Sequence, residues 1–460
     1  MKNLIFKYKN IFFLGIKGVA MANLAVIFKK MGKKVTGYDV DEEFITDQVL
    51  KENNIKYYSH LFLPKETDLF VYSAAHGGQN HELCQLAKKR NIKMLSQPEL
   101  INQIMNIFAK KIAVCGCHGK TTTASLTAYA LKKLVGKISY IVGAPFFNGF
   151  FGGDYNKDSD YFVVEADEYG VNPPFDKRIK FSFLNPDWVI CTNIDYDHPD
   201  VYKNVNEVES AFFQFFDNRK LILNIDNSSI RKFLLKNNKK LITYDLSKNS
   251  DFQIIDYSIN KNGSFFKINK LGDFNISLYG IHNVLNATAV ISLLSQLGFP
   301  VEKIKKAIIN FKGAKRRFEL IYNKNFLLFD DYAHHPKEIE AVLKTVRIIF
   351  PNRKLLVIFQ PHTFSRTKSL LNDFIKTLNI ADKIYLLPIF ASARENPSDF
   401  DITSEDIVKL SPKKMVYFLN EKDLLDKLVS EIKNNDVVLT LGAGDVYKIG
   451  QKLINIIDSN

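Results

Sequence analysis

The stretch Gly116-Cys117-His118-Gly119-Lys120-Thr121-Thr122-Thr123 joins glycines, a lysine and hydroxyls directly after the apolar run Ile112-Ala113-Val114. That combination suits a polyphosphate. Successive backbone N–H groups wrap an anion, and a helix that follows adds the positive end of its dipole. Lys120 is placed to neutralise β- and γ-phosphates, and Thr121 to offer a hydroxyl to Mg²⁺. The spacing GxxGKTT is shorter than the common GxxxxGK[ST], but a strand before it and the helical pattern Ala124–Leu134 after it argue against a chance glycine turn.

Two further polar groups close apolar runs. Glu165-Ala166-Asp167-Glu168 follows Tyr161–Val164. Acids at the end of a buried strand are costly unless paired or metal-bound, so this is either a Mg²⁺ site facing a triphosphate or a solvated acidic loop. Thr192-Asn193-Ile194-Asp195-Tyr196-Asp197-His198 ends the run Trp188–Thr192. A histidine beside aspartates either ligates a metal, for which it must be neutral, or caps a loop. Near the start, Ile11–Leu14 leads into Gly15-Ile16-Lys17-Gly18-Val19-Ala20, a helical pattern over Met21–Met31, and a second run, Lys34–Tyr38, that ends at Asp39. This is the βαβ layout of a dinucleotide fold with an incomplete glycine pattern; taken alone, it reads equally as a plain turn or a phosphate site.

The elements that must hold these groups fall into three modules, at 1–109, 110–312 and 313–460. A chain of 460 residues is too long for one core. The fold class expected is α/β in three domains: a Rossmann-like first, a central P-loop ATPase sheet with a β-rich extension over 224–277, and a Rossmann-like third. In the third module the predicted strands are Phe326–Phe329, Lys354–Phe359, Lys383–Leu387 and Val437–Leu441, with helical patterns between them. Each predicted strand that carries polar chemistry carries it at its C-terminal end, where open α/β sheets place ligands.

The net charge of +14 admits a nucleic acid, a membrane surface or an anionic substrate, yet the basic residues are scattered and no aromatic-plus-basic cluster marks a nucleic-acid module. No segment reaches the length of a membrane span, and the apolar Ile11–Leu14 is too short and glycine-broken for a signal peptide. Cys84, Cys115, Cys117 and Cys191 show no CxxC pair, which reads as reduced thiols in a cytoplasmic protein.

Taken in order, Gly116–Thr123, Glu165–Glu168, Thr192–His198, Gly280-Ile281-His282-Asn283-Val284-Leu285-Asn286-Ala287, Arg316-Arg317-Phe318-Glu319 and Asp330-Asp331-Tyr332-Ala333-His334-His335-Pro336 resemble the Mur ligase family, from Gly15 to about Ile449. The resemblance implies an ATP- and Mg²⁺-dependent ligase. It implies that Gly116, Cys117, His118, Gly119, Lys120, Thr121 and Thr122 bind ATP together with Asn283 at the adenine, Arg317 at the phosphates and Asp331 at the ribose. Lys120, Glu165 and His198 would be catalytic, with Thr121, Glu165 and His198 as metal ligands. Gly15, Gly18, Asp39 and Ser73 would hold the UDP part of UDP-N-acetylmuramate, and His335, His362 and Arg366 the incoming amino acid. Lys17 stands where members usually have glycine; a lysine there is able to meet a diphosphate.

Phe359-Gln360-Pro361-His362, Ser365-Arg366-Thr367 and Gly442-Ala443-Gly444-Asp445 are similar to members that add L-alanine. Glu168-Tyr169 with Phe175–Phe181 is similar instead to members that reattach a preformed tripeptide. A non-catalytic ATP-binding protein on the same scaffold is the alternative of another class. A monomer or weak homodimer is expected, with no nucleic-acid partner and no membrane insertion.

Overall fold

Strands covered on both faces read as unbroken apolar runs, and three such sheets organise the chain. The computed structural model describes residues 4–173, 175–237, 241–391, 395–411 and 414–459. Residues 1–3 and 460, at the outer ends of the first and third expected modules, lie outside them. The chain forms two compact units divided at Ala314/Lys315, with Ile259–Ser264 and Tyr279–His282 grouped with the second.

Among the described residues the first unit carries, besides a two-stranded antiparallel ribbon of Gly170–Asn172 with Asp176–Ile179, two large sheets. One is five-stranded and parallel, in the order Lys56–Tyr58, Lys34–Tyr38, Asn10–Leu14, Leu69–Tyr72, Lys93–Ser96. The order reverses between Asn10–Leu14 and Leu69–Tyr72, so a crevice opens at their C-terminal ends, where Gly15 and Ser73 begin the next loops. The second sheet has ten strands. At its centre Lys110–Cys115 lies between Trp188–Cys191 and Tyr161–Glu165, parallel to both. The expected β-rich extension is a continuation of this sheet through Lys220–Asn224, Ile242–Asp245, Phe252–Asn260, Gly263–Ile268 and Gly272–Ile276, with a helix, Ser228–Lys236, inserted.

The second unit holds a six-stranded sheet ordered Glu319–Asn323, Leu327–Asp331, Val437–Leu441, Leu355–Phe359, Lys383–Leu386, Met415–Tyr417; only the first pair is antiparallel. The α/β class expected from the sequence is therefore observed. Among the described residues no helix is long and apolar enough to cross a membrane.

Within the first unit, the helix Val19–Lys30 packs on the hairpin Ser139–Phe147/Phe150–Asp154. Its buried Asn23 donates through Nδ2 to the carbonyls of Val142 (2.9 Å) and Ala144 (3.0 Å). The approach is close enough that a Cβ on Gly153 would lie 2.2 Å from the Asn23 carbonyl oxygen, so glycine is obligatory there. Removing the amide leaves buried carbonyls short of a donor. Asn23→Ala is expected to lower the unfolding free energy of this unit by about 1–3 kcal/mol, measured by urea denaturation. Lys30→Ala, which removes an exposed ammonium from Asp154 and leaves Lys132 on the same carboxylate, is expected to cost no more than about 0–1 kcal/mol.

Candidate active site

The loop after Lys110–Cys115 is fixed by its glycines and by the strand beside it. Gly116 has φ +131°, and a Cβ there would lie 2.1 Å from Thr192 Oγ1. Gly119 has φ +80° and caps the helix Lys120–Val135; a Cβ on it would come within 2.8 Å of Asn286 Oδ1. That helix starts at Lys120, earlier than the Ala124 read from the pattern, so Lys120 and Thr121 occupy its first turn. The loop after Trp188–Cys191 braces this turn. His118 N–H donates to Asn193 Oδ1 (2.9 Å), while Thr192 Oγ1 and Asn193 Nδ2 donate to the His118 carbonyl at 2.6 and 2.9 Å. Cys117, buried, donates its thiol to the Asp195 carbonyl (3.1 Å). Thr192 and Asn193, for which the sequence suggested no separate role, thus shape the phosphate-type loop. Asn283 accepts from Asn286 Nδ2 (3.3 Å), which carries Asn283 to the loop's neighbourhood.

The three acids of Glu165–Glu168 have separate partners. Glu165 accepts from Thr121 Oγ1 (3.1 Å) and from the Gly143 N–H (2.6 Å). Asp167 accepts from Lys180 Nζ (2.8 Å). Burial works against its charge, but Lys180, then Lys120, outweigh it and hold the carboxyl well below the usual range. Glu168, 1 % exposed, accepts from Lys120 Nζ at 2.8 Å. Burial likewise opposes the Lys120 charge, yet Glu168 and Asp167 win and keep the ammonium protonated well above the ordinary lysine range. His198, at φ +57°, brings Nε2 to 3.6 Å from Glu168 and stacks edge-on against Tyr169.

The predicted metal set thereby divides. Thr121 and Glu165 are together, whereas the carboxylates grouped with His198 are those of Asp167 and Glu168, with ligand atoms mutually within 4.8 Å. Carboxylate and hydroxyl oxygens are the donors Mg²⁺ takes. Glu168 Oε2 is buried without a hydrogen-bond partner among the described residues, which fits a place for a cation.

In the first sheet's crevice, Gly15 (φ +76°) leaves its N–H on the Tyr38 carbonyl, and a Cβ would meet Ser73 Oγ at 3.2 Å. Gly18 precedes the helix Val19–Lys30. Asp39 accepts from the Lys17 N–H (2.7 Å) and stands 2.8 Å from His76 Nε2. Gly15, Asp39 and Ser73 are thus brought together. His76, which the sequence did not single out, joins them in a left-handed conformation (φ +54°). Lys17 departs from expectation: its ammonium is turned inward onto the Glu42 carbonyl (2.7 Å) and Asp47 (3.1 Å), over the Tyr57 ring. It braces the loop and is not presented to a diphosphate.

In the second unit, Asp331 accepts from the N–H groups of Phe318 and Ala333, both at 2.7 Å. Arg317 lies 3.8 Å from Glu338 and over the Tyr332 ring. Arg366, 3 % exposed, is 3.4 Å from the His362 carbonyl, and His362 stacks on Phe390. His335 is buried and accepts from the Lys337 N–H as the cap of the helix Pro336–Ile349, while the ring that meets His362 is that of His334, at 5.8 Å.

A nucleotide-type loop with an acid-matched lysine, carried on an α/β sheet, defines the class as a phosphate-handling enzyme. The family description "Mur ligase middle domain" matches residues 114–294, "Mur ligase family, catalytic domain" 10–109 and "Mur ligase, glutamate ligase domain" 316–444. The UDP-N-acetylmuramate–L-alanine ligase of Lactobacillus acidophilus is 38 % identical over 96 % of this chain and 97 % of its own length. That of Desulfitobacterium hafniense is 36 % identical over 97 % and 99 %. The UDP-N-acetylmuramate-alanine ligase structure from Thermotoga maritima superposes with a TM-score of 0.82 at 25 % identity, covering 98 % of this chain and 99 % of that one. The chain belongs to the Mur ligase family.

Burial pushes the Asp331 carboxyl up to about 7, against the pull of Arg317 and the two backbone donors. An acid whose folded pKa is raised binds more protons folded than unfolded, so stability falls as pH rises from about 4 to 7 and levels above. Asp331→Asn is expected to remove that contribution. The difference between variant and wild type, read by urea denaturation of this unit from pH 4.5 to 8, should change by on the order of 1–4 kcal/mol.

Proposed function

We propose that this chain is an ATP-dependent, ADP-forming ligase that joins L-alanine to the lactyl carboxylate of UDP-N-acetylmuramate in the synthesis of peptidoglycan precursors. Two relatives of that name, more than a third identical and aligned over nearly their whole length, support the reading. The observation that carries it at the level of chemistry is Lys120: a part-buried ammonium on a phosphate-type loop, kept charged by acids on the neighbouring strand.

The reaction has a physical obstacle. A free carboxylate acylates poorly because its leaving group is an oxide. Attack of a carboxylate oxygen on the γ-phosphorus of ATP breaks the β–γ bridge, releases ADP and leaves an acyl phosphate. The neutral amine of alanine then adds to the carbonyl, loses a proton, and phosphate departs. The first step requires charge neutralisation and in-line placement more than covalent help. Lys120 supplies a fixed positive charge, and the N–H groups of 116–121 at the helix start add aligned dipoles. Mg²⁺, when bound, would screen the phosphate charges, with Thr121, Glu165 and His198 as proposed ligands and Glu168 added to them by its place beside His198.

Module by module, residues 1–109 would hold the UDP moiety through Gly15, Gly18, Asp39 and Ser73, residues 110–312 the triphosphate, and residues 313–460 the amino acid. Arg366 in the last is suited to the alanine carboxylate. The nucleotide roles of Arg317 and Asp331 rest on the family resemblance alone. Phe175–Phe181, similar to the tripeptide-attaching members, favours a second reading in which the incoming amine is a tripeptide.

Incubation with ATP, Mg²⁺ and UDP-N-acetylmuramate, with L-alanine and the tripeptide supplied separately, distinguishes the two by product mass. Alanine incorporation is expected, and incorporation of the tripeptide alone would reverse the assignment. Lys120→Ala is expected to lower ADP release by about 10²–10³-fold or more while the far-UV circular dichroism spectrum stays that of the folded wild type. Turnover at the wild-type rate in that variant would contradict the role of Lys120.

A further inference from the structure

Buried charges without ligands must be matched by the protein itself, and around the phosphate-type loop the matching is uneven. Glu165 is engaged by a hydroxyl and a backbone N–H. Asp167 has its own cation in Lys180. Glu168 differs from both: Oε1 holds Lys120 at 2.8 Å with His198 Nε2 at 3.6 Å, and Oε2 is buried with no hydrogen-bond partner among the described residues. Its backbone is pinned, since the Glu168 carbonyl accepts from the Tyr202 hydroxyl at 2.6 Å. The side chain is the part left to move.

We propose that Glu168 is an internal stand-in for the nucleotide's phosphate: in the ligand-free protein it occupies Lys120, and an arriving triphosphate must displace it. The proposal rests on the reading of Lys120 as a phosphate ligand. Two negative groups compete for one desolvated ammonium, so metal-free nucleotide binding carries the cost of breaking the pair and of leaving Glu168 beside the phosphates. A divalent cation removes that cost, because the displaced carboxylate, already next to His198, gains a new positive partner. Glu168 thus couples nucleotide to metal: each ligand makes room for the other, and the coupling is reciprocal. The exchange keeps Lys120 charged and in place before ATP arrives and disfavours nucleotide bound without its cation. In this role Glu168 is a positioning residue acting through Lys120. A permanent structural ion pair would predict something else: loss of stability on substitution, with nucleotide affinity unmoved.

The test is calorimetric titration of the whole protein with ATP, in EDTA and in Mg²⁺, for wild type, Glu168→Gln, Lys120→Met and the double variant. Glu168→Gln is expected to bind ATP about tenfold more tightly than wild type in EDTA, and to lose about tenfold or more of the tightening that Mg²⁺ produces. With Lys120→Met as background, the gain in EDTA should shrink, because the pair is already broken. Unchanged or weaker metal-free affinity in Glu168→Gln would overturn the proposal, and so would an equal gain in both backgrounds. Should the Gln variant fail to fold, Glu168→Asp, which keeps the charge but withdraws it from Lys120, is expected to bind ATP more tightly than wild type in EDTA, and unchanged or weaker metal-free affinity there would equally overturn the proposal. Wild-type protein that binds no ATP even with Mg²⁺ would be a different failure, that of the proposed function.

Discussion

A lysine ammonium withdrawn from water has to be held by negative charge, and the site on the ten-stranded sheet is built around that requirement. Lys120 lies at the start of a helix whose dipole already disfavours a cation, in a loop closed by backbone N–H groups. Three carboxylates on the adjoining strand end make its charge tolerable. The same arrangement that stabilises the empty loop makes it receptive to a triphosphate, since an anion there meets aligned donors and a cation that has lost its water. Charge matching and phosphate chemistry are therefore one design, with Glu168 and the nucleotide as rival partners.

The scaffold enforces this from below. Parallel pairing of Val114 with Glu165 and of Cys115 with Cys191 brings the phosphate-type loop, the acids and the Thr192–His198 segment to one sheet edge. Gly116 and Gly119 let the backbone pass where side chains of Thr192 and Asn286 already stand. The first sheet repeats the logic at its own order reversal, where Gly15, Ser73, Asp39 and His76 converge, with Lys17 spent on internal bracing. In the second unit Asp331, Gln360 and Gly442 likewise lie at strand ends of one sheet.

Much of this was legible in the sequence because buried parallel strands announce themselves as short apolar runs. Lys34–Tyr38 and Val437–Leu441 coincide with their predicted spans, and most other predicted strands differ by one or two residues. The helix after the loop was read too short because Lys120-Thr121-Thr122-Thr123 includes β-branched residues that weaken a helical pattern; their place is fixed by phosphate-loop geometry rather than propensity. What the sequence could not convey is which charge meets which. Glu165, Asp167 and Glu168 are near neighbours in the chain, yet strand pleat and loop direction send them to Thr121, Lys180 and Lys120. The inward turn of Lys17 was hidden for the same reason, as its partners Glu42 and Asp47 come from a distant turn and helix. His335 and His334 show the limit at its narrowest: adjacent imidazoles, one capping a helix and one facing His362.

An acid activated by phosphoryl transfer leaves one of its own oxygens on phosphorus. UDP-N-acetylmuramate carrying ¹⁸O in both lactyl carboxylate oxygens, turned over with ATP and L-alanine, tests this directly by mass analysis of the inorganic phosphate. One labelled oxygen per product molecule should appear in phosphate, the other remaining in the amide. Unlabelled phosphate accompanying amide formation would contradict an acyl phosphate made beside Lys120.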